Sequence, residues 1–181
     1  MDMEEFELLS KEYSQIVADI INDNVRFYRF IEKIKWCFGY DENTAIIANC
    51  NRSTNIITLN LKAFMDLYFA KDLLTIEYFL LHEIRHVFQH SSIKEYKDGK
   101  EISVGEDLIK TWIEESDNYT TACDENGNER EEYFAQDLEM DAYAFSYAVM
   151  KYKYDDVLTA TTPSGKVKLQ IIKVSNLEIG V

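Results

Sequence analysis

The sequence predicts a mostly helical α+β fold, with a small β-sheet packed against one central helix. Long stretches of the chain place apolar residues at intervals of three and four, which is typical of amphipathic helices. Short segments between them have the apolar pattern of strands. The chain has 181 residues, 46% of them hydrophobic, which is enough for a core without disulfides. We therefore expect a single domain spanning residues 1–181.

The first 38 residues are predicted to form an N-terminal helical segment. Apolar residues keep helical spacing from Phe6 to Ile21 and resume it from Phe27 to Ile34. The polar run at residues 22–24 interrupts this pattern. Either one long helix or a broken pair of helices is therefore expected over residues 1–38.

A hairpin is predicted after this segment. Gly39 and the polar residues 41–43 form a turn into a strand at residues 45–48. A second strand is predicted at residues 55–60, across the polar link formed by residues 49–54.

Helices are predicted on the C-terminal side of the hairpin. A short helix covers residues 61–70, and a longer one starts near Asp72 or Thr75. Residues 91–101 then read as a charged connection, and residues 105–115 as another helix.

The polar loop at residues 117–130 contains an Asp-x-Asn-Gly run at residues 124–128. Such a run can bind calcium, but the full twelve-residue EF-hand loop is not convincing, so a plain turn is favoured over a calcium site. Further along, alternating segments at residues 157–160 and 167–172 suggest a terminal hairpin.

Charge and cysteine content narrow the class of protein. A net charge of -14 argues against direct binding of nucleic acid or of an anionic membrane, since both need clustered Lys and Arg. Cys37, Cys50 and Cys123 are odd in number and far apart, which favours reduced thiols. The acidic start does not resemble a signal peptide, and no apolar run is long enough to span a membrane. We expect a cytoplasmic protein.

All three histidines lie within nine residues, and two of them form a His-Glu-x-x-His pattern at His82, Glu83 and His86. Residues four apart lie on the same face of a helix, so both rings can bind one metal ion. Glu83 is then placed to take a proton from a water molecule at the metal. His90 lies two turns from His82, too far along the axis to share the ion, and is expected to be a capping or surface residue.

A catalytic Zn²⁺ site needs a third protein ligand. Because the chain has no further histidine to supply it, this ligand is expected to be a carboxylate. The best candidate is Glu139, in a second helical stretch with a stripe of apolar and small residues. Asp137 and Asp141 remain alternatives, because a shifted alignment of the same helix would promote either one. Asp141 is also a candidate for holding a ligand histidine in place.

These residues resemble a known family. The ImmA/IrrE-like metallopeptidases, which belong to the gluzincin type of zincins, pair a His-Glu-x-x-His helix with a later Glu-x-x-Ala-x-x-Phe-Ala helix. The later helix matches here at Glu139, Ala142, Phe145 and Ser146. The resemblance covers roughly residues 40–152.

The resemblance implies a minimal zincin fold and a zinc metalloendopeptidase. His82, His86 and Glu139 would hold Zn²⁺, and Glu83 would act as general base. Residues 40–152 would then be the catalytic core and residues 155–181 a terminal hairpin or tail. The metallopeptidases of this family come from phages and mobile elements. The resemblance therefore implies a regulatory protease whose substrate is one intracellular protein, such as a repressor.

Several other residues are candidates for the site. Arg85 and Gln89 form the polar stripe of the motif helix, and Arg85 is expected to pair with a carboxylate. A tyrosine could donate a hydrogen bond to the oxyanion formed on carbonyl attack. The candidates nearest in sequence are Tyr119, Tyr133 and Tyr143.

The strand before the motif helix is predicted to be a free edge that pairs with an extended peptide substrate. Its residues are Asn55, Ile56, Ile57, Thr58 and Leu59. A function of a different class is a catalytically silent zincin-like scaffold, acting as an acidic binding or adaptor protein that inhibits a partner or mimics nucleic acid. The intact Glu83 argues against that alternative.

Overall fold

A computed structural model describes residues 1–28, 33–122 and 130–154, together with the backbone of two short strands between residues 159 and 168. The helices are α1 (Met3–Asn24), α2 (Leu61–Phe69), α3 (Leu73–Lys97), α4 (Glu106–Asp117), α5 (Glu131–Phe134) and α6 (Asp137–Tyr154). The strands are β1 (Lys35–Gly39), β2 (Ala48–Asn51), β3 (Ile56–Asn60), β4 (Thr159–Thr162) and β5 (Gly165–Lys168). The predicted mostly helical α+β class is confirmed.

The N-terminal segment is helical only in its first part. Helix α1 begins at the Asp2 cap and ends at Asn24, and a single 3₁₀ turn follows it. Residues 35–39 form strand β1, so the prediction of a helical segment through residue 38 was wrong at its C-terminal end. The apolar spacing there is compatible with either structure, and parallel pairing with β3 decides in favour of a strand. Residues 29–32 lie outside the described part.

The three-stranded sheet has the order β1-β3-β2. Strand β3 is parallel to β1 and antiparallel to β2. The predicted free edge at residues 55–59 was therefore wrong, because residues 56–59 belong to the central strand and both of their sides are paired. The physical reason is that β1 comes from a segment predicted to be helical, and it occupies the side of β3 that had been expected to stay open.

The predicted hairpin is present, but its first strand is shifted. Strand β2 covers residues 48–51 instead of 45–48, so most of the predicted link is strand and the turn is shorter. The Asn51 side chain accepts hydrogen bonds from the backbone of Ser53 and Thr54, both at 3.0 Å. Asn55 closes the turn with a positive φ of 53°, a conformation that asparagine tolerates better than most residues. Local side-chain hydrogen bonds thus close a short turn where the polar composition of residues 49–54 had predicted a longer link.

Helix α3 is the central element of the fold. It starts where predicted, with the Asp72 side chain accepting a hydrogen bond from the backbone of Thr75 at 3.1 Å. It ends at Lys97, so the first part of the predicted connection at residues 91–101 is helical. Helix α3 packs along α6 and against β2 and β3. The sheet and α6 therefore both pack against the helix that carries the His-Glu-x-x-His pattern.

The remaining predicted elements are present. Helix α4 starts after Gly105 as expected, and α6 covers the second helical stretch. The terminal hairpin is formed by β4 and β5, which pair antiparallel; residues 169–172, predicted to continue its second strand, lie outside the described part. The candidate calcium loop at residues 124–128 also lies outside it. Within the described residues, none of the helices has the length and apolar character needed to cross a membrane.

A buried polar network joins α1, α3 and α6 near the N-terminal end of α3. Glu77 accepts hydrogen bonds from Asn24 and Tyr154, each at 2.6 Å, and from Lys153. The side chains of Glu77 and Lys153 are only 7% and 13% exposed. The attraction between the two charges must therefore offset a considerable desolvation cost.

Lys153→Met is expected to destabilise the protein by about 3 kcal/mol, because it leaves the Glu77 carboxylate buried without its cation. Urea unfolding would measure the loss. The double variant Glu77→Leu, Lys153→Met should regain most of it, since no uncompensated charge remains. Lys151→Met, on the exposed side of the same helix turn, is the control and should be near wild type. An unchanged midpoint for Lys153→Met would contradict the expected contribution.

Candidate metal centre

Helix α3 places the rings of His82 and His86 together. The two residues lie one turn apart, and their Nε2 atoms are 3.0 Å from each other. The ring planes are nearly perpendicular, with centroids 4.6 Å apart. Both residues are buried. Two imidazole nitrogens thus converge on one point in the interior, as the helical spacing predicts.

Helix α6 brings the Glu139 carboxylate to the same point. One of its oxygens lies 3.2 Å from His82 Nε2, and the other lies 3.4 Å from His86 Nε2. Glu139 has no exposed surface. Of the alternative ligands, Asp137 is exposed and Asp141 is bound to Arg85 on another face of the helix. Neither belongs to the group of His82, His86 and Glu139, whose ligand atoms lie within 4.8 Å of one another.

The charges in this cluster depend on each other. Burial would raise the pKa of Glu139, but its close contacts with His82 and His86 and their positive charge hold the pKa well below its usual range. Burial disfavours the charged ring of His86, yet hydrogen bonding and the negative charge of Glu139 raise its pKa to about 9. Without a metal ion, the buried carboxylate therefore keeps a proton on the neighbouring imidazole.

The donor set fits a tetrahedral zinc ion. Zinc bonds of about 2.0–2.1 Å at tetrahedral angles separate the ligand atoms by about 3.3–3.4 Å. The two histidine nitrogens are 3.0 Å apart, and a different oxygen of Glu139 lies near each of them, at 3.2 Å from His82 and 3.4 Å from His86. One ligand atom from each of the three residues lies within 4.8 Å of the others. Among the described residues, Glu139 Oε2 and His82 Nδ1 are buried without a hydrogen-bond partner. A cation would satisfy the carboxylate oxygen, and two histidines with one glutamate are a known catalytic zinc set.

Glu83 lies beside the cluster and is buried. Burial raises the pKa of its carboxyl group and the charge of Glu139 adds to this, while His82, His86 and the backbone N–H of Cys50 lower it. The net shift is upward, which makes the carboxylate a better proton acceptor. The hydrogen bond from Cys50 ties this carboxylate to strand β2.

The three candidate tyrosines surround the cluster. Tyr119 donates a hydrogen bond of 2.6 Å to Glu139 Oε1, and the hydroxyl of Tyr133 lies near enough to Glu139 to be influenced by its charge. The Tyr143 ring packs on His82, with centroids 4.2 Å apart. Burial raises the pKa of all three hydroxyls, and the charge of Glu139 adds to the shift. All three therefore stay protonated and able to donate.

His90 is half-buried and is not a surface or capping residue, contrary to the prediction. Its ring stacks on His86 with centroids 6.0 Å apart, and its Nδ1 lies 3.8 Å from Cys50 Sγ. Burial lowers its pKa to about 3, and the charges of His86 and Arg52 add to the shift. As expected from its position on the helix, it does not belong to the metal-ligand group.

The sequence reasoning missed three contributors to the site. Gln89 was assigned only to a polar stripe, but it is fully buried and contacts His86. Glu115 caps α6 by accepting hydrogen bonds from the backbone of Asp137 and Leu138, at 2.8 and 2.9 Å. Cys50 acts through its backbone N–H, for which no sequence signal exists. The position of Gln89 could have been inferred from its spacing, because it lies four residues after Arg85 and therefore on the same face of α3. That face meets α6.

Comparisons of the chain with protein-family models, with curated proteins and with solved structures found no match.

Proposed function

We propose that the protein is a zinc-dependent metallopeptidase that hydrolyses peptide bonds of a cytoplasmic protein. The observation that carries the proposal is the buried meeting of His82, His86 and Glu139, with Glu83 beside them. A metal site that is only structural has no need for a proton acceptor next to its ligands. The resemblance to the ImmA/IrrE-like metallopeptidases supports the same activity.

The chain's own residues supply the proton chemistry of hydrolysis. Bound zinc would polarise the scissile carbonyl and lower the pKa of water at the site toward about 7. Glu83 takes one proton from the water that attacks the carbonyl carbon, and returns it to the amine as the C–N bond breaks. A hydroxyl among Tyr119, Tyr133 and Tyr143 donates a hydrogen bond to the oxygen that gains negative charge.

The most direct test compares metal content with peptide cleavage in the purified protein. Elemental analysis should find about one zinc per chain, as three ligands and an open position require. Cleavage of an unstructured test protein, or of a candidate phage repressor, should stop with a chelator and return with zinc. A protein without bound zinc would contradict the proposal. Retained zinc without cleavage of any substrate would favour the silent adaptor.

Strand β2 is the part of the sheet best suited to hold an extended substrate. It is the terminal strand of the sheet in the described residues, and it lies against α3. The carbonyl of Ile47 accepts a hydrogen bond from Asn60 of β3 at 2.9 Å. Because antiparallel strands alternate, the N–H groups of Ala48 and Cys50 face outward, and Cys50 reaches Glu83 in this way. A peptide paired with this edge would lie next to the base.

Ala48→Pro is expected to lower kcat/KM for a protein substrate by about three- to tenfold, since one outward N–H is lost. Zinc content and thermal stability should stay near wild type, because that group does not bond within the sheet. Asn49→Pro is the matched control: its N–H faces β3, so it should destabilise the fold instead. Unchanged turnover by a folded Ala48→Pro variant would move substrate recognition to the segment between His86 and Glu139.

A further inference from the structure

Gln89 makes contacts with both helices that carry the candidate ligands. Its side chain has no exposed surface. Its Oε1 lies 2.7 Å from His86 Nδ1, on its own helix α3. Its Nε2 donates to the carbonyl of Leu138 at 2.9 Å and to Asp141 Oδ2 at 2.7 Å, both on α6. Leu138 is the residue directly before Glu139. The amide oxygen of Gln89 thus contacts the candidate ligand His86. The amide nitrogen contacts the backbone next to the candidate ligand Glu139.

The hydrogen-bond partners of Gln89 determine the orientation of its side-chain amide group. A carbonyl and a carboxylate can only accept hydrogen bonds, so the amide NH₂ must face Leu138 and Asp141. The carboxylate of Asp141 also accepts two hydrogen bonds from Arg85, at 2.7 and 3.0 Å. The amide oxygen must then face His86. Since that oxygen only accepts, Nδ1 of His86 must carry a hydrogen and donate it.

We infer that Gln89 is a positioning residue that fixes the tautomer and orientation of His86 and holds Glu139 opposite it. With the hydrogen on Nδ1, the lone pair of neutral His86 lies on Nε2, the atom that faces His82 and Glu139. The chain Arg85, Asp141, Gln89, His86 is continuous, and each of its contacts is 3.0 Å or shorter. The inference rests on the proposed zinc site, and it adds how the ring of His86 is oriented as a ligand of that site.

Among the described residues, the other histidine has no comparable partner: His82 Nδ1 is buried without a hydrogen-bond partner. The Tyr143 ring instead packs on the ring of His82. The two ligand histidines are therefore held by different means, and loss of Gln89 should affect one of them selectively. This asymmetry gives the inference a specific signature.

Gln89→Met is the direct test, because methionine has a similar length and removes all three hydrogen bonds. Zinc affinity, measured by competition with a chromophoric chelator, should fall by about 10- to 100-fold, as is typical when the outer partner of a ligand is removed. Asn24→Leu is the matched control: Asn24 is also buried and links α1 to α3 through Glu77, and neither residue belongs to the ligand group. It should lower stability without changing zinc affinity.

Cobalt-substituted protein supplies a readout that a purely structural role would not move. Bound Co²⁺ shifts the proton NMR signals of its ligands, so the Nδ1 protons of the two histidines appear as separate exchangeable resonances. In wild-type protein the His86 proton should exchange slowly with water, because Gln89 accepts it. In Gln89→Met it should exchange faster, while the His82 signal should stay as it was. Equal behaviour of the His86 proton in both proteins would overturn the inference.

Gln89→Glu keeps the test usable if the methionine variant does not fold. The glutamate retains an oxygen for His86 but loses both donors to α6, so the His86 proton should remain protected while zinc affinity falls. Rapid exchange of that proton, or an unchanged affinity, would contradict the assigned role. These outcomes differ from failure of the proposed function, in which wild-type protein itself would bind no zinc. If wild type and Gln89→Met bind zinc equally well, only the inference about Gln89 fails.

Discussion

Glu83→Gln is expected to reduce kcat by about 10²- to 10⁴-fold, the usual contribution of a positioned general base. Glutamine is close in size to glutamate and can still accept the hydrogen bond from Cys50, but it cannot take a proton from the attacking water. The zinc content should remain near one per chain, because Glu83 is not a member of the ligand group. Cleavage kinetics and elemental analysis of the same preparation would test both statements.

A matched control for this variant lies on the same helix. Glu77 is also a buried glutamate of α3, but it contacts Lys153, Asn24 and Tyr154 instead of the histidines. Glu77→Gln is expected to lower stability, and its folded fraction should cleave substrate at the wild-type rate per molecule. Loss of zinc from Glu83→Gln would show that Glu83 is a ligand and would contradict its role as base. Full activity of Glu83→Gln would place the base elsewhere.

His82→Ala, His86→Ala and Glu139→Ala are each expected to weaken zinc binding by about 10²- to 10⁴-fold. The estimate takes a binding free energy of about 10–16 kcal/mol for a complete site and divides it among its ligands. Each variant also removes one member of a closely spaced, buried group. Competition titration and elemental analysis after dialysis would measure the loss. All three variants should be inactive at ordinary zinc concentrations.

Two controls make the ligand assignment specific. His90→Ala removes the remaining histidine of the same helix, and Asp137→Ala removes an exposed carboxylate near the start of α6. Both should retain zinc. If Asp137→Ala or Asp141→Ala empties the site and Glu139→Ala does not, the third ligand lies elsewhere on the helix. Asp141→Ala is expected to cause a smaller loss than Glu139→Ala, because Asp141 acts through Gln89.

Features with a short-range cause could be predicted from the sequence. The start of α3 follows from the Asp72 cap, and the convergence of His82 and His86 follows from helical geometry. Glu139 lies on the face of α6 that meets α3, as its apolar neighbours indicated. In each case, residues within one or two helical turns contain the relevant information. The candidate ligands could therefore be predicted from two local sequence patterns, with the assumption that the two helices pack against each other.

Features that depend on distant parts of the chain were decided only by the tertiary structure. Strand β3 is central because residues 35–39 pair with it across about twenty residues of sequence, and their apolar spacing suited a helix equally well. Gln89 joins His86 to α6 only because α3 and α6 pack in one register. The hydrogen bond from Cys50 to Glu83 uses a backbone group that every residue but proline possesses. Strand pairing, helix register and backbone contacts carry no local signature, since their energy arises only when remote segments meet.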